Sequence, residues 1–381
     1  MQVNLPCGGQ GRCGHCKVLV KSGNVRCRSV SRLSRSELEE GWVLACQSPV
    51  EGDCVIHIPP QEAIERRLPG EKYAVPEIAL PVECDWREPP LIRKYFVSVK
   101  PPSLEDNTTD FERLKRELGR QYGIRDVNAS LPMMQGLARA LREADWNVTA
   151  VLETSLYLGD RMVPRLLDVR PGDQTARSWG AAIDIGTTSN VVYLVDLDRR
   201  VVVDSASAYN AQISCGEDVI SRIIYAGRPG GLAHLQQLVV GTLNQLLAEV
   251  AQRNGITPQE IYRVTVAGNT TMTHLFLGLE PAFIRLEPYI PTVNHPLPVM
   301  ARELGLLVNA EATVDCLPGV GAYVGGDITA GVLSSGMFKT EKLTLFIDVG
   351  TNGEIVLGNA DWLISCACSA GPAFEGAGVH S

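Results

Sequence analysis

The stretch AAIDIGTTSNVVYLVDL, residues 181–197, and its later echo LFIDVGTNGEIVLGN, residues 345–359, decide the fold. In each, an apolar run that reads as a strand leads into Asp-x-Gly-Thr, and a second apolar run returns. The two aspartates, Asp184 and Asp348, stand 164 positions apart, and a widely spaced pseudo-repeat of this kind shapes the reading of everything between. Gly186 and Gly350 let a hairpin backbone approach a phosphate, whose oxygens accept its N–H groups. Thr187, Thr188, Thr351 and Asn352 add donors, with Gly353 extending the second turn. Asp184 and Asp348, at strand ends, suit Mg²⁺, held directly or through water. Two such turns facing each other across a cleft would grip the β- and γ-phosphates of ATP. Two ordinary tight hairpins are the plain alternative.

The paired turns resemble those of the ASKHA superfamily of actin, Hsp70 and sugar kinases. There, two lobes of related topology close over a nucleotide. On that resemblance Asp184, Gly186, Thr187 and Thr188 match the first phosphate motif, and Asp348, Gly350, Thr351, Asn352 and Gly353 the second. Between them, GGLAHLQQLVVGTLNQLLAEVAQRNG reads as a long amphipathic helix whose leucine stripe is core, and VTVAGNTTMTHLFLGL as a buried strand leading into a helix N-terminus. GVGAYVGGDITAGVL repeats that form and puts Asp327 at a helix start. Asp327 is either an N-cap or an acid positioning the water that attacks the γ-phosphate. Asp184 is the other catalytic candidate.

The second informative stretch is CGGQGRCGHC, Cys7 to Cys16, with Cys46 following after 29 intervening residues. Three cysteines at C-x5-C-x2-C with glycines around them suit a loop wrapped closely on a small cluster, since glycine permits the φ > 0 turns required. The spacing resembles that of [2Fe–2S] ferredoxins, in the variant with one extra residue in the first loop. A zinc site prefers two C-x2-C knuckles, and Cys46 has no paired neighbour; a disulfide loop would need an oxidising compartment. His15 reads as a solvated side chain, because a Rieske site needs two histidines. Cys366 and Cys368 form a C-x-C whose role stays open. Cys27, Cys54, Cys84, Cys215 and Cys316 read as buried thiols.

Composition sets the outer bounds. The chain has 381 residues, 45% of them apolar, with 35 basic against 43 acidic side chains. That charge balance argues against nucleic acid as the main partner, and no apolar run approaches the ~18 residues that a membrane helix needs. Eleven cysteines without a signal peptide point to metal chemistry in a reducing compartment, hence to the cytoplasm.

Taken in order, the expected organisation is α/β and multi-domain. Residues 1–58 form a partial β-grasp [2Fe–2S] ferredoxin domain lacking its N-terminal hairpin, with SRSELEEG as a short helix capped by Ser34 and closed by Gly41. Residues 59–90 are a proline-rich linker. Residues 91–175 form a small α/β middle domain. Residues 180–381 form an incomplete ASKHA (actin/Hsp70-like) domain.

This combination resembles the reductive activators of corrinoid proteins. The PPSLEDNTTD, NAQISCGEDVISR, VAGNTTMTHLFLG and CSAGPAFEGAG stretches belong to the likeness. The resemblance implies that Cys7, Cys13, Cys16 and Cys46 hold the cluster, and that one electron passes to a Co(II) corrinoid protein to restore Co(I) for methyl transfer, coupled to ATP and Mg²⁺. It implies a corrinoid protein of a methyltransferase system as partner, a low-potential electron donor and a homodimer. It also implies truncation at both ends, with the adenosine-contacting segment missing. Two other readings stand beside it: an electron-transfer protein whose ASKHA half is a non-catalytic docking scaffold, and a small-molecule kinase with a fused ferredoxin.

Overall fold

The computed structural model describes residues 3, 5, 7, 9–60, 90–154, 157, 158 and 161–369. Cys84, most of the proline-rich linker and all but the first two residues of the CSAGPAFEGAG stretch lie outside them.

The N-terminal sheet has strands β1 (Lys17–Ser22), β2 (Trp42–Leu44) and β3 (Val55–His57), in the order β2-β1-β3 and antiparallel throughout. Helix α1 (Arg35–Glu40) lies between β1 and β2. Its capping box forms as the sequence predicts: Ser34 accepts from the Glu37 amide, Glu37 accepts from the Ser34 amide, and Gly41 closes the helix at φ 90°. Cys46 lies in a 3₁₀ turn, Ala45–Gln47, directly after β2.

Next comes a four-stranded sheet, ordered β4-β6-β9-β5. It contains β4 (Ile92–Ser98), β5 (Asn128–Ala129), β6 (Asn147–Glu153) and β9 (Arg165–Pro171), with a small hairpin of β7 (Tyr157–Leu158) and β8 (Arg161–Met162) before β9. Helices α2 (Asp110–Tyr122) and α3 (Leu131–Glu143) cover it, burying Leu114, Leu118, Leu137 and Leu141 against Val97, Val148 and Leu152. Each helix starts at a hydroxyl cap, Thr109 and Ser130 respectively.

The third unit is built on a six-stranded sheet, ordered β12-β11-β10-β13-β15-β14. Its strands are β10 (Trp179–Ile185), β11 (Ser189–Asp196), β12 (Val201–Tyr209), β13 (Ile261–Gly268), β14 (Val299–Met300) and β15 (Thr313–Cys316). The meander β10–β12 is antiparallel, whereas β13 runs parallel to β10 and β15 parallel to β13. Helix α4 (Val219–Ala226) leads to α5 (Gly231–Arg253), whose Leu235, Val239, Leu243, Leu246 and Val250 are buried in the sheet's core. Helices α6 (Thr270–Leu277) and α7 (Ala301–Leu304) complete this unit. Helix α8 (Gly326–Ser335) packs on an antiparallel sheet of β16 (Thr344–Val349), β17 (Asn352–Gly358) and β18 (Leu363–Ser369), ordered β16-β17-β18, through Ile328, Phe346 and Val356.

The four-stranded sheet is joined to the six-stranded one by two layers of contact. Ile92, Val151, Leu167 and Tyr262 form a small shared apolar cluster. Beside it, Glu153 takes Arg165 at 2.7 Å and Arg263 at 2.5 Å, and accepts from the Thr313 hydroxyl at 2.9 Å. Glu153 is fully buried, so this network is a rigid joint rather than a surface tether.

Candidate functional site

The two Asp-x-Gly-Thr turns meet. Each caps an antiparallel hairpin, β10–β11 and β16–β17, and the Thr188 and Thr351 hydroxyls lie 2.9 Å apart, both buried. Within the turns, Gly186 N–H donates to Ser189 O and Gly350 N–H to Asn352 O, each at 2.9 Å. At Gly186 a Cβ would stand 2.5 Å from the Ser189 carbonyl oxygen. Glycine is therefore imposed by the turn's own closeness and not by its φ.

A second layer grips the first turn from behind. Asn210 donates its side-chain amide to Gly186 O at 2.9 Å and its backbone N–H to Thr188 O at 2.8 Å. Arg222 donates to Thr187 O. Three consecutive carbonyls are thus held by the NAQISCGEDVISR segment, which fixes the turn from behind. Arg222 is fully buried, and its other hydrogen bonds run to Gly216 O, Gln212 Oε1 and Met272 Sδ, all uncharged. Burial pulls its guanidinium down to about 9. A buried cation so placed polarises the Thr187 peptide and favours negative charge nearby.

Asn269, the N-cap of α6, accepts from Met272 N–H and donates to the Thr187 hydroxyl at 3.0 Å. Gly325 permits the start of α8 to press against it, since a Cβ there would meet Asn269 Cα at 2.4 Å. The N-cap of α8 is Gly325, so Asp327 does not cap the helix, contrary to one of its two sequence readings. It lies in the helix's first turn, accepting from its neighbour Ile328 N–H.

Three carboxylates share this region. Asp348 and Glu354 are direct cross-strand partners of the β16–β17 hairpin, an arrangement that costs stability between like charges. Burial, then Asp327 and Asp348, raise Glu354 to about 7. Burial, with Asp348, raises Asp327 to about 6. A cavity of about 320 Å³ is lined by Asp218, Asn269, Thr270, Tyr323, Asn352 and Cys368 among others, with none of these three carboxylates in its lining.

The cysteine loop lies on the other side of Ser214. Gly9, Gly11 and Gly14 all take φ between 73° and 78°, as the wrapped loop requires. Cys7 and Cys13 place their sulfurs 3.3 Å apart, and Cys16 and Cys46 theirs 3.2 Å apart. Among the described residues no three His, Cys, Asp or Glu side chains gather closely enough to hold a single ion. The thiols form two pairs, which fits two irons taking two thiolates each. Hydrogen bonding to Cys16 draws the Cys46 thiol down to about 6; Gly11 N–H and the Arg228 charge act in the same direction against burial. The thiolate is the form that binds metal. His15 is exposed, as predicted. Cys27, Cys366 and Cys368 are also exposed, so the expectation of a buried thiol fails at Cys27 because its loop lies on the surface; Cys215 and Cys316 are buried.

Fourteen residues singled out from the sequence therefore fall into two groups: the four cysteines in one loop region, and the two turns with Asp327 in another. Asn210, Arg222, Asn269 and Glu354 were not foreseen. For Glu354 a signal existed, because reading 348–354 as a hairpin puts it opposite Asp348. The other three act across long sequence separations.

The fold and the two sites together define a class: a [2Fe–2S] ferredoxin-type module carried on an ASKHA-type nucleotide-binding scaffold. Four family signatures tile the chain in this order: a 2Fe-2S iron-sulfur cluster binding domain at residues 1–51, a RACo linker region at 85–176, a RACo middle region at 179–340, and the C-terminal ASKHA domain of RACo at 342–381. Three of these four signatures are RACo regions, and together they match most of the chain in the order of a RACo protein. It is 30% identical over 386 aligned residues to the corrinoid activation enzyme RamQ of Eubacterium limosum, covering 100% of this chain and 58% of RamQ. A solved structure of a reductive activator for a corrinoid, iron-sulfur protein matches at 40% identity and TM-score 0.68, covering 100% of this chain and 60% of that one. A [Co(II) methylated amine-specific corrinoid protein] reductase of Methanosarcina barkeri is 26% identical over 218 residues, covering 53% of this chain and 38% of the reductase. The chain thus spans under two thirds of the length of each of these relatives. Among the described residues no helix is long and apolar enough to cross a membrane.

Proposed function

We propose that this chain serves the ATP-dependent reductive activation of a corrinoid protein, in which one electron returns Co(II) to Co(I) for methyl transfer. The observation that carries the reading is that one chain combines two thiol pairs with two phosphate-type turns in mutual contact. Cys7, Cys13, Cys16 and Cys46 would hold the [2Fe–2S] cluster, which supplies one-electron chemistry when bound. The turns of residues 186–188 and 350–353 bind the phosphates through groups other than the Gly186 and Gly350 amides, which close the hairpins, with Thr188 and Thr351 as the closing pair. Asp184, Asp348 and Glu354 would hold Mg²⁺ largely through its waters, consistent with three carboxylates that do not close on one point. Asp327, raised to about 6, accepts a proton from a water at neutral pH and orients it. The partners are a corrinoid protein and a low-potential donor, and the setting is the cytoplasm.

The energetic requirement is modest. Plant-type clusters lie near about −400 mV, and an acceptor ~100 mV more reducing makes one-electron transfer unfavourable by about 2.3 kcal/mol. Differential binding by nucleotide can supply that. The test is the rate of Co(II) corrinoid-protein reduction by the iron-loaded protein with and without ATP. A rate that rises with ATP is expected; identical rates would leave a plain electron carrier on a docking scaffold. Phosphate appearing on a small molecule would instead favour a kinase.

A further inference from the structure

The NAQISCGEDVISR segment and the turn after it touch both sites. Asn210 and Arg222 hold the carbonyls of the first phosphate turn. On the same segment, the Ser214 carbonyl accepts the Leu5 N–H at 2.8 Å. Just beyond α4, the Arg228 guanidinium lies beside Gly9: a Cβ at Gly9 would stand 1.6 Å from an Arg228 terminal nitrogen. Arg228 is itself stacked over the Tyr225 ring at 5.1 Å, which fixes its direction, and Gln47, next to Cys46, bonds the Gly9 carbonyl at 2.8 Å. Any side chain at position 9 would displace the guanidinium. Glycine at position 9, which its φ of 78° also favours, thus leaves room for the guanidinium of Arg228 against the loop.

We infer that Ser214 and Arg228 form a docking seat for the cysteine loop on the nucleotide-binding lobe, and that Arg228 acts as an outer electrostatic partner of the four-thiol cage, raising the potential of the group held there. The inference rests on the reading that Cys7, Cys13, Cys16 and Cys46 hold a [2Fe–2S] cluster. The reduced cluster carries one more negative charge than the oxidised one, so a nearby cation stabilises the reduced form. Leaving the seat, or losing the cation, makes the same cluster a stronger reductant. Because the seat lies on the segment that grips the phosphate turn, the docked loop and the nucleotide site share one structural element. Arg228 is a positioning residue in this scheme and touches no reacting atom.

The test uses the full chain. Iron content and the visible spectrum come first; a colourless, iron-free protein overturns the cluster reading but not the seat. The midpoint potential is then followed by EPR in wild type, Arg228→Gln and Arg228→Lys. Arg228→Gln is expected to move the reduced-to-oxidised ratio about tenfold toward oxidised at a fixed ambient potential, a fall of about 59 mV for one electron, while Arg228→Lys stays within about threefold of wild type. An unchanged midpoint in Arg228→Gln overturns the electrostatic role. Hydrogen exchange of the wild-type chain judges the seat without any variant: the Leu5 amide should exchange slowly. Exchange at the rate of an unstructured chain end overturns the docking, whether or not iron is present.

Discussion

Replacing Glu354 by Gln should stabilise the protein at alkaline pH while weakening its hold on a divalent cation. Glu354 is raised from 4.5 to about 7 by burial and by Asp327 and Asp348. Between those two values the folded chain holds a proton that the unfolded chain has released, so stability falls as pH rises through that window. A rise of this size corresponds to at most about 3 kcal/mol, fully expressed above pH 7 and absent below about pH 4.5. Glutamine keeps the shape and removes the charge. Urea unfolding of wild type and Glu354→Gln at pH 4.5 and pH 8, in chelator, checks this: the variant should be the more stable at pH 8 by up to about 3 kcal/mol, and the two should converge at pH 4.5. Adding Mg²⁺ at pH 8 should then stabilise the wild type and leave the variant nearly unmoved. A variant no more stable than wild type at pH 8 would refute the idea that Glu354 is held beside Asp327 and Asp348 at a cost to stability.

Other perturbations follow from the same contacts. Glu153→Ala removes the shared partner of Arg165 and Arg263 at the joint between the two larger sheets, leaving Arg165 on Glu311 and Arg263 on Asp315, and should cost about 1–3 kcal/mol, seen as a lower urea midpoint with the visible spectrum retained. Asn210→Ala frees the Gly186 carbonyl and should cost about 1–3 kcal/mol while lowering ATP affinity in a calorimetric titration; unchanged affinity would mean that the second layer does not shape the turn. Cys46→Ser should abolish the visible bands, whereas Cys27→Ser, at an exposed cysteine, should leave them intact.

Local chemistry was legible in the chain itself. Ser34 and Glu37 announced a capping box, and the leucine stripe of 231–253 announced a buried helix, because both depend on residues three or four apart. The glycine-rich loop with three cysteines likewise carries its own geometry, and the repeated Asp-x-Gly-Thr hairpins identified the scaffold without any tertiary information. Asp327 shows where this stopped: a helix start was visible, but not that Gly325 would take the cap because Asn269 presses on it.

The sequence by itself determined which residues could bind phosphate and metal, since that follows from residue type and short spacing. Only the tertiary structure decided that the turns of residues 184–188 and 348–353 touch through Thr188 and Thr351, and that Arg222 lies buried behind one of them. It also decided that the cysteine loop rests on Ser214 and Arg228. Each of these pairs elements far apart in the chain, and their meeting is set by how whole sheets pack, which no local pattern encodes.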